Sequence, residues 1–241
     1  LCRRIYIVFC SPVTKSLAKP TTSEHFQDRH SAMPDANTIQ AALRALANQD
    51  AAAQAHRYFK AAEGQYGAGD LFLGIRVPVV RQQVKLFKAT PLAELSILLA
   101  SPFHEERLCA LLILVYQFEK AQDQQQRDTI YDLYMANRVH INNWDLVDTS
   151  APFIVGGYLI GKTRKPLYKL AKSKQLWDRR IAIMATFRFI RAKDYADALA
   201  LAELLLQDKE DLIHKAVGWM LREIGNRAPA VEREFLKQHH S

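Results

Sequence analysis

From Asn37 onward, nearly every stretch of the sequence carries apolar residues at three- and four-residue spacing, broken by short polar links. That period predicts helices at Thr38–Leu46, Ala51–Lys60, Pro78–Lys88, Leu92–Leu99, His104–Phe118, Gln124–Ala136, Trp144–Leu159, Pro166–Ser173, Trp177–Ile190, Tyr195–Leu206, Leu212–Ile224 and Pro229–Leu236. Ser101-Pro102, Asp194 and Asp208 stand where helix starts are expected, and Gly225-Asn226 where one ends. The one glycine-rich interruption runs from Gly64 to Gly74 and carries Tyr66. No turn dipeptide lies between alternating strands, so a sheet is not expected.

The helices also recur in register. Arg107, Arg180 and Lys215 occupy matching places in ungapped segments, and Trp144 falls where the missing member should be, giving steps of 37, 36 and 35 residues. Each step holds two helices and a turn, the length of a HEAT-like helical pair. The expected fold is therefore all-α: a HEAT-like solenoid of stacked helix pairs with a concave basic groove. A plain bundle with accidental spacing is the alternative.

Charge sharpens this reading. The net charge is +8, and between Ile141 and Arg191 ten Lys or Arg residues face only three acids, Asp145, Asp148 and Asp178. Such a block suits a polyanion, nucleic acid before acidic membrane, although a solvated helix face would carry the same residues. Helix N-termini in the same groove would add unpaired N–H groups suited to phosphate. Expected phosphate contacts are Arg107, Lys162, Arg164, Lys165, Lys172, Lys174, Arg179 and Lys215, with Arg76 and Arg81 as weaker members.

Several classes are disfavoured. No stretch approaches the roughly eighteen apolar residues that cross a bilayer. Cysteines at 2, 10 and 109 give neither a metal spacing nor a disulfide framework, and Cys109 reads as a buried small hydrophobe. A reducing cytoplasm is the expected compartment. Residues 5–10 form an apolar run after Arg3-Arg4 but are short for a signal peptide and lack its cleavage pattern. Residues 1–32 show no helical period, so Met33 is taken as a native start and 1–32 as a disordered or non-native extension. Residues 33–241 then form a single domain. No metal is expected, since His56, His140 and His214 form no ligand group. No compact recognition helix or dimer seam supports a helix-turn-helix regulator.

Within the groove, Asp148 follows Trp144 by four residues and Trp219 follows Lys215 by four, so each pair shares a helix face. With Arg180 they make two indoles, a carboxylate and a guanidinium on neighbouring helices. Singly, a Trp is more often core, a first-turn Asp such as Asp145 complements the helix dipole, and an Arg forms an ordinary ion pair. Asn142-Asn-Trp144-Asp-Leu-Val-Asp148, Leu176-Trp-Asp-Arg-Arg180-Ile-Ala-Ile183 and Asp211-Leu-Ile-His-Lys215-Ala-Val-Gly-Trp219 resemble the AlkD-type DNA alkylation repair family. Phe72-Leu-Gly-Ile-Arg76-Val-Pro78 and Ser101-Pro-Phe-His-Glu-Glu-Arg107 agree with it, and the likeness runs from about Gly64 to the C-terminus.

The resemblance implies a monofunctional glycosylase, without metal or organic cofactor, that releases N3- and N7-alkylated purines from duplex DNA. It places Trp144, Asp148, Arg180 and Trp219 at the lesion site, with Asp148 stabilising the cationic sugar and Arg180 gripping a phosphate. Glu106 stands where many members carry an aromatic. A monomer is expected, and the competing reading is a non-catalytic module that binds nucleic acid or protein through the same face.

Overall fold

The computed structural model describes residues 34–239. The expectations for residues 1–32 lie outside them. Among the described residues are fourteen α-helices and one turn of 3-10 helix at Arg138–His140. They are α1 Ala36–Arg44, α2 Gln49–Tyr58, α3 Val77–Phe87, α4 Leu92–Leu99, α5 His104–Lys120, α6 Gln124–Ala136, α7 Trp144–Asp148, α8 Val155–Leu159, α9 Lys165–Ala171, α10 Leu176–Ala185, α11 Phe187–Arg191, α12 Ala196–Leu205, α13 Asp211–Gly225 and α14 Pro229–Gln238. The only β-type pairing among these residues is an isolated parallel bridge between Leu71 and Phe103. None of these helices is long and apolar enough to cross a membrane.

Local chemistry explains the boundaries. The side chains of Asp35, Asn48 and Asp123 accept from backbone N–H groups two or three positions into α1, α2 and α6. Proline occupies the first turn of α3, α9 and α14, where a missing N–H costs nothing. Two expected helices are broken. The stretch 144–159 divides into α7 and α8 because Pro152 can neither donate to the carbonyl four residues back nor clear it. The stretch 177–190 divides at Thr186, whose backbone N–H and hydroxyl both turn to the Ile183 carbonyl.

The helices form two layers. Helices α5, α7, α10 and α13 pack on one another in succession, and α4, α9, α12 and α14 pack against members of that row. α5 is enclosed on all sides, with every residue from His104 to Leu114 buried. In α10 the same holds for Arg180–Ala185. Residues such as Ile113, Leu146, Ile181, Met184 and Ile213 make one continuous core between the layers.

This arrangement corrects the repeat register in one place. Arg107 is the fourth residue of α5, while Arg180 and Lys215 are each the fifth of their helices. Trp144 is the first residue of α7, so the position matching Arg180 and Lys215 is held by Asp148. The second repeat is offset by one helical turn.

Candidate active site

Because α5 is enclosed, four consecutive ionisable residues at its start are buried, and each needs a partner. Glu105 accepts from the backbone N–H groups of Leu73, Gly74 and Ile75 at 2.9, 2.8 and 3.2 Å. Gly74 turns there with φ +76°, and a Cβ would lie 2.2 Å from the Asn48 carbonyl oxygen, so only glycine fits. Glu106 accepts from Ser101 at 2.6 Å and pairs with Arg44 at 2.8 Å, so it faces α1 rather than the site. His104 donates to Asp145 at 2.8 Å and lies 3.5 Å from Asp70. Burial alone would favour the neutral ring, but Asp145 and Asp70 outweigh it and push the imidazole up to about 9.

Arg107 does not join the expected stripe of cations. Its side chain is 5% exposed, pairs with Asp70 at 2.7 Å and donates to the Ser101 carbonyl at 2.8 Å. Asp70, which also accepts from Asn142 at 2.9 Å, thus ties the glycine-rich loop to α5 and to the start of α7. Asp70, His104, Arg107 and Asp145 form a charge-balanced quartet.

Trp144 opens α7, where the Asn143 side chain accepts its backbone N–H at 2.9 Å. Its indole stacks on Phe59 (5.4 Å, 28°) and meets Tyr58 edge-on (5.9 Å, 72°). Phe59 stacks in turn on Phe72 at 5.4 Å and lies 4.7 Å from the His104 ring. Tyr58 is 66% exposed, presenting an aromatic face to solvent beside Trp144.

One turn further along α7, Asp148 meets Arg180 in a two-pronged contact. Nε donates to Oδ1 at 2.9 Å and Nη2 to Oδ2 at 2.8 Å. Nη1 donates to the Leu212 carbonyl at the start of α13, so one guanidinium joins three successive helices of the row. The side chains of Asp148 and Arg180 are 12% and 6% exposed. Burial pushes the Asp148 carboxyl above the usual range, with Arg180 pulling against it and Asp145 adding to it. Trp219 lies two turns into α13, half-buried against Phe187, its indole donating to Glu223 at 3.3 Å.

The expected phosphate contacts separate into two groups. Arg164 forks onto Asp194 and Asp197, Arg179 onto Asp208, and Lys162 pairs with Asp128 while covering the Tyr158 ring. Lys215 is exposed and pairs with Asp211 at 2.6 Å. Arg76, Arg81, Lys165, Lys172 and Lys174 are exposed. Lys172 and Lys174 lie in the link that leads into α10, at the Asp148 end of that helix. Lys165 opens α9, about 10 Å away along its axis.

Sequence reasoning passed over Tyr58, Phe59, Asp70, Phe72 and His104. Two clefts, of about 510 Å3 between α12 and α14 and about 350 Å3 among α4, α5 and α6, lie elsewhere and touch none of these residues.

Together these features define an all-helical protein of stacked helix pairs, with a desolvated carboxylate at the end of α7 paired to a guanidinium of α10. A family model described as "DNA alkylation repair enzyme" matches residues 39–241, and the chain belongs to that family. A solved structure described as a predicted DNA alkylation repair enzyme from Enterococcus faecalis shares the fold, with a TM-score of 0.60 at 19% identity. That likeness covers 80% of this chain and 89% of that one. Comparison with curated proteins gave no match.

Proposed function

We propose that this protein is a DNA glycosylase that excises cationic N3- and N7-alkylated purines, of the 3-methyladenine and 7-methylguanine type, from duplex DNA. The observation that carries the reading is the Asp148 carboxylate, buried and oriented by Arg180, with Trp144 one turn away on the same helix. Membership of the alkylation repair family supports it.

Alkylation at N3 or N7 gives the purine a positive charge. When the C1′–N bond breaks, its electron pair leaves with the base and neutralises that charge, so the leaving group needs no proton. The positive charge passes to the sugar, and a fixed carboxylate lowers the energy of that oxocarbenium-like state. Water then adds to C1′ and gives a proton to Asp148 or to solvent. Trp144 and Trp219 offer π faces to the cationic base or sugar, worth about 0.5–2 kcal/mol each. Arg180 spends three of its five N–H groups on Asp148 and Leu212; the other two are those that could grip a phosphate. No metal or organic cofactor enters this scheme.

A second reading rests on the same contact. An Asp–Arg fork closed within the protein is also what a structural ion pair in a binding module looks like. Release of methylpurines from methylated duplex DNA, compared between the intact protein and Asp148→Asn, separates the two. A glycosylase should lose on the order of 10²-fold in rate in the variant. No release by the intact protein above an enzyme-free control, with duplex binding retained, would favour the binding module.

A further inference from the structure

Helix α7 carries both Trp144 and Asp148 but is only five residues long. So short a helix does not hold itself together, and it depends on anchors from its neighbours. Asp148 supplies one anchor, through Arg180 of α10. Asp145 supplies another, one turn earlier. Its Oδ1 accepts the Leu146 backbone N–H at 2.8 Å, and its Oδ2 accepts from His104 Nε2 at 2.8 Å. The His104 ring is itself confined, 4.7 Å from the Phe59 ring and 5.0 Å from that of Phe72.

Asp145 precedes Asp148 by three residues, so the two carboxylates are neighbours along α7. Two anions this close in a desolvated site oppose each other unless each has its own cation. Arg180 serves Asp148. His104 serves Asp145, because the other buried cation of α5, Arg107, is taken up by Asp70 at 2.7 Å. His104 lies farther from Asp70, at 3.5 Å. Two tyrosine hydroxyls also face the pair, Tyr134 of α6 near Asp148 and Tyr66 of the glycine-rich loop near Asp145. Burial pushes both up, so they stay neutral and leave the balance to the four charges.

We propose that His104 is a positioning residue for base release: acting through Asp145, it anchors α7 and cancels the second negative charge beside Asp148. This rests on the glycosylase reading and deepens it, since the machinery then extends from the reacting carboxylate to a buried histidine that touches no substrate. The coupling has a sign. Removing the histidine charge leaves Asp145 as an uncompensated anion, which disfavours the Asp148 anion; removing the Asp145 charge does the reverse.

The test is the acid limb of kcat/KM for release of 7-methylguanine from methylated duplex DNA by the full chain. His104→Gln keeps a donor to Asp145 without the charge and should move the limb upward by about half a pH unit or more. Asp145→Asn should move it downward, and that variant keeps the test decisive if the His104 variant folds poorly. The two replacements together should return the limb close to its place in the intact protein, since each removes the charge that the other leaves unpaired. A lost structural contact would lower the rate without opposite shifts. Limbs that stay in place in both single variants, or that move in the same direction, would therefore overturn the inference while leaving the glycosylase reading intact. No release by the intact protein above an enzyme-free control would overturn both.

Discussion

At the scale of single residues, the site is governed by the competition between burial and pairing at Asp148. Burial raises its pKa and Arg180 opposes that rise, so the ionised carboxylate depends on its partner. The proposed chemistry needs the anion. Base release should therefore fall as pH drops, with the acid limb lying above the ordinary carboxylate range. Arg180→Ala removes the opposing charge and should move that limb upward by about one pH unit or more. A kcat/KM profile between pH 4 and 8 checks this, and an acid limb that stays in place would separate Arg180 from the ionisation of Asp148. The same fork locks the carboxylate in one orientation, so Arg180→Lys should recover part of the pH profile but less of the rate.

At the scale of elements, the link between α5, α7 and the glycine-rich loop is electrostatic. His104 is held at about 9 by Asp145 and Asp70, above its value of about 6.5 in an unfolded chain. A raised pKa means the folded state binds the proton more tightly. The stabilisation is full below about pH 6.5 and disappears as pH rises through 9, with a size on the order of 3 kcal/mol. Thermal unfolding followed from pH 6 to 10 should show Tm falling across that window, and His104→Gln should flatten the fall. A variant that keeps the full slope would exclude His104 as its source.

The same elements show what the sequence could and could not reveal. Helices announced themselves because an apolar face recurs every turn, and Asp148 and Arg180 were legible because their motifs are long. The break at Pro152 was readable in principle but hidden by apolar residues on both sides. His104 was silent because its partners, Asp70 and Asp145, lie 34 and 41 positions away, and nothing local marks a histidine as paired. Arg107 misled for a related reason. Its place in the register suggested an outward cation, whereas enclosure of α5 turned it onto Asp70. Tyr66 sits in a segment without period, where only tertiary packing decides the direction of a side chain.

At the scale of the whole described structure, many of the excess positive charges are already spent within it. Arg164 and Arg179 each face carboxylates that lie outside the block, at Asp194, Asp197 and Asp208, so the +7 between Ile141 and Arg191 overstates what is left for a polyanion. Lys172 and Lys174, exposed at the Asp148 end of α10, are the better candidates. Replacing both by Gln should weaken binding to all duplexes alike and reduce the slope of log K against log salt by about 0.9 per lysine. Lys165→Gln, at the other end of α9, should leave the slope nearly unchanged, and fluorescence anisotropy across a salt series measures both.

Stacked helix pairs ordinarily touch only their neighbours, so such proteins tolerate trimming at their ends and unfold in pieces. The buried quartet removes that freedom here. Asn142 reaches Asp70 across 72 positions, and Arg107 and His104 depend on the same carboxylate. A fragment beginning at α5 would keep two buried cations and lose one of the two anions that balance them. The front of the molecule is thus less a detachable end than the counterweight of its middle, and the two should melt in a single cooperative step.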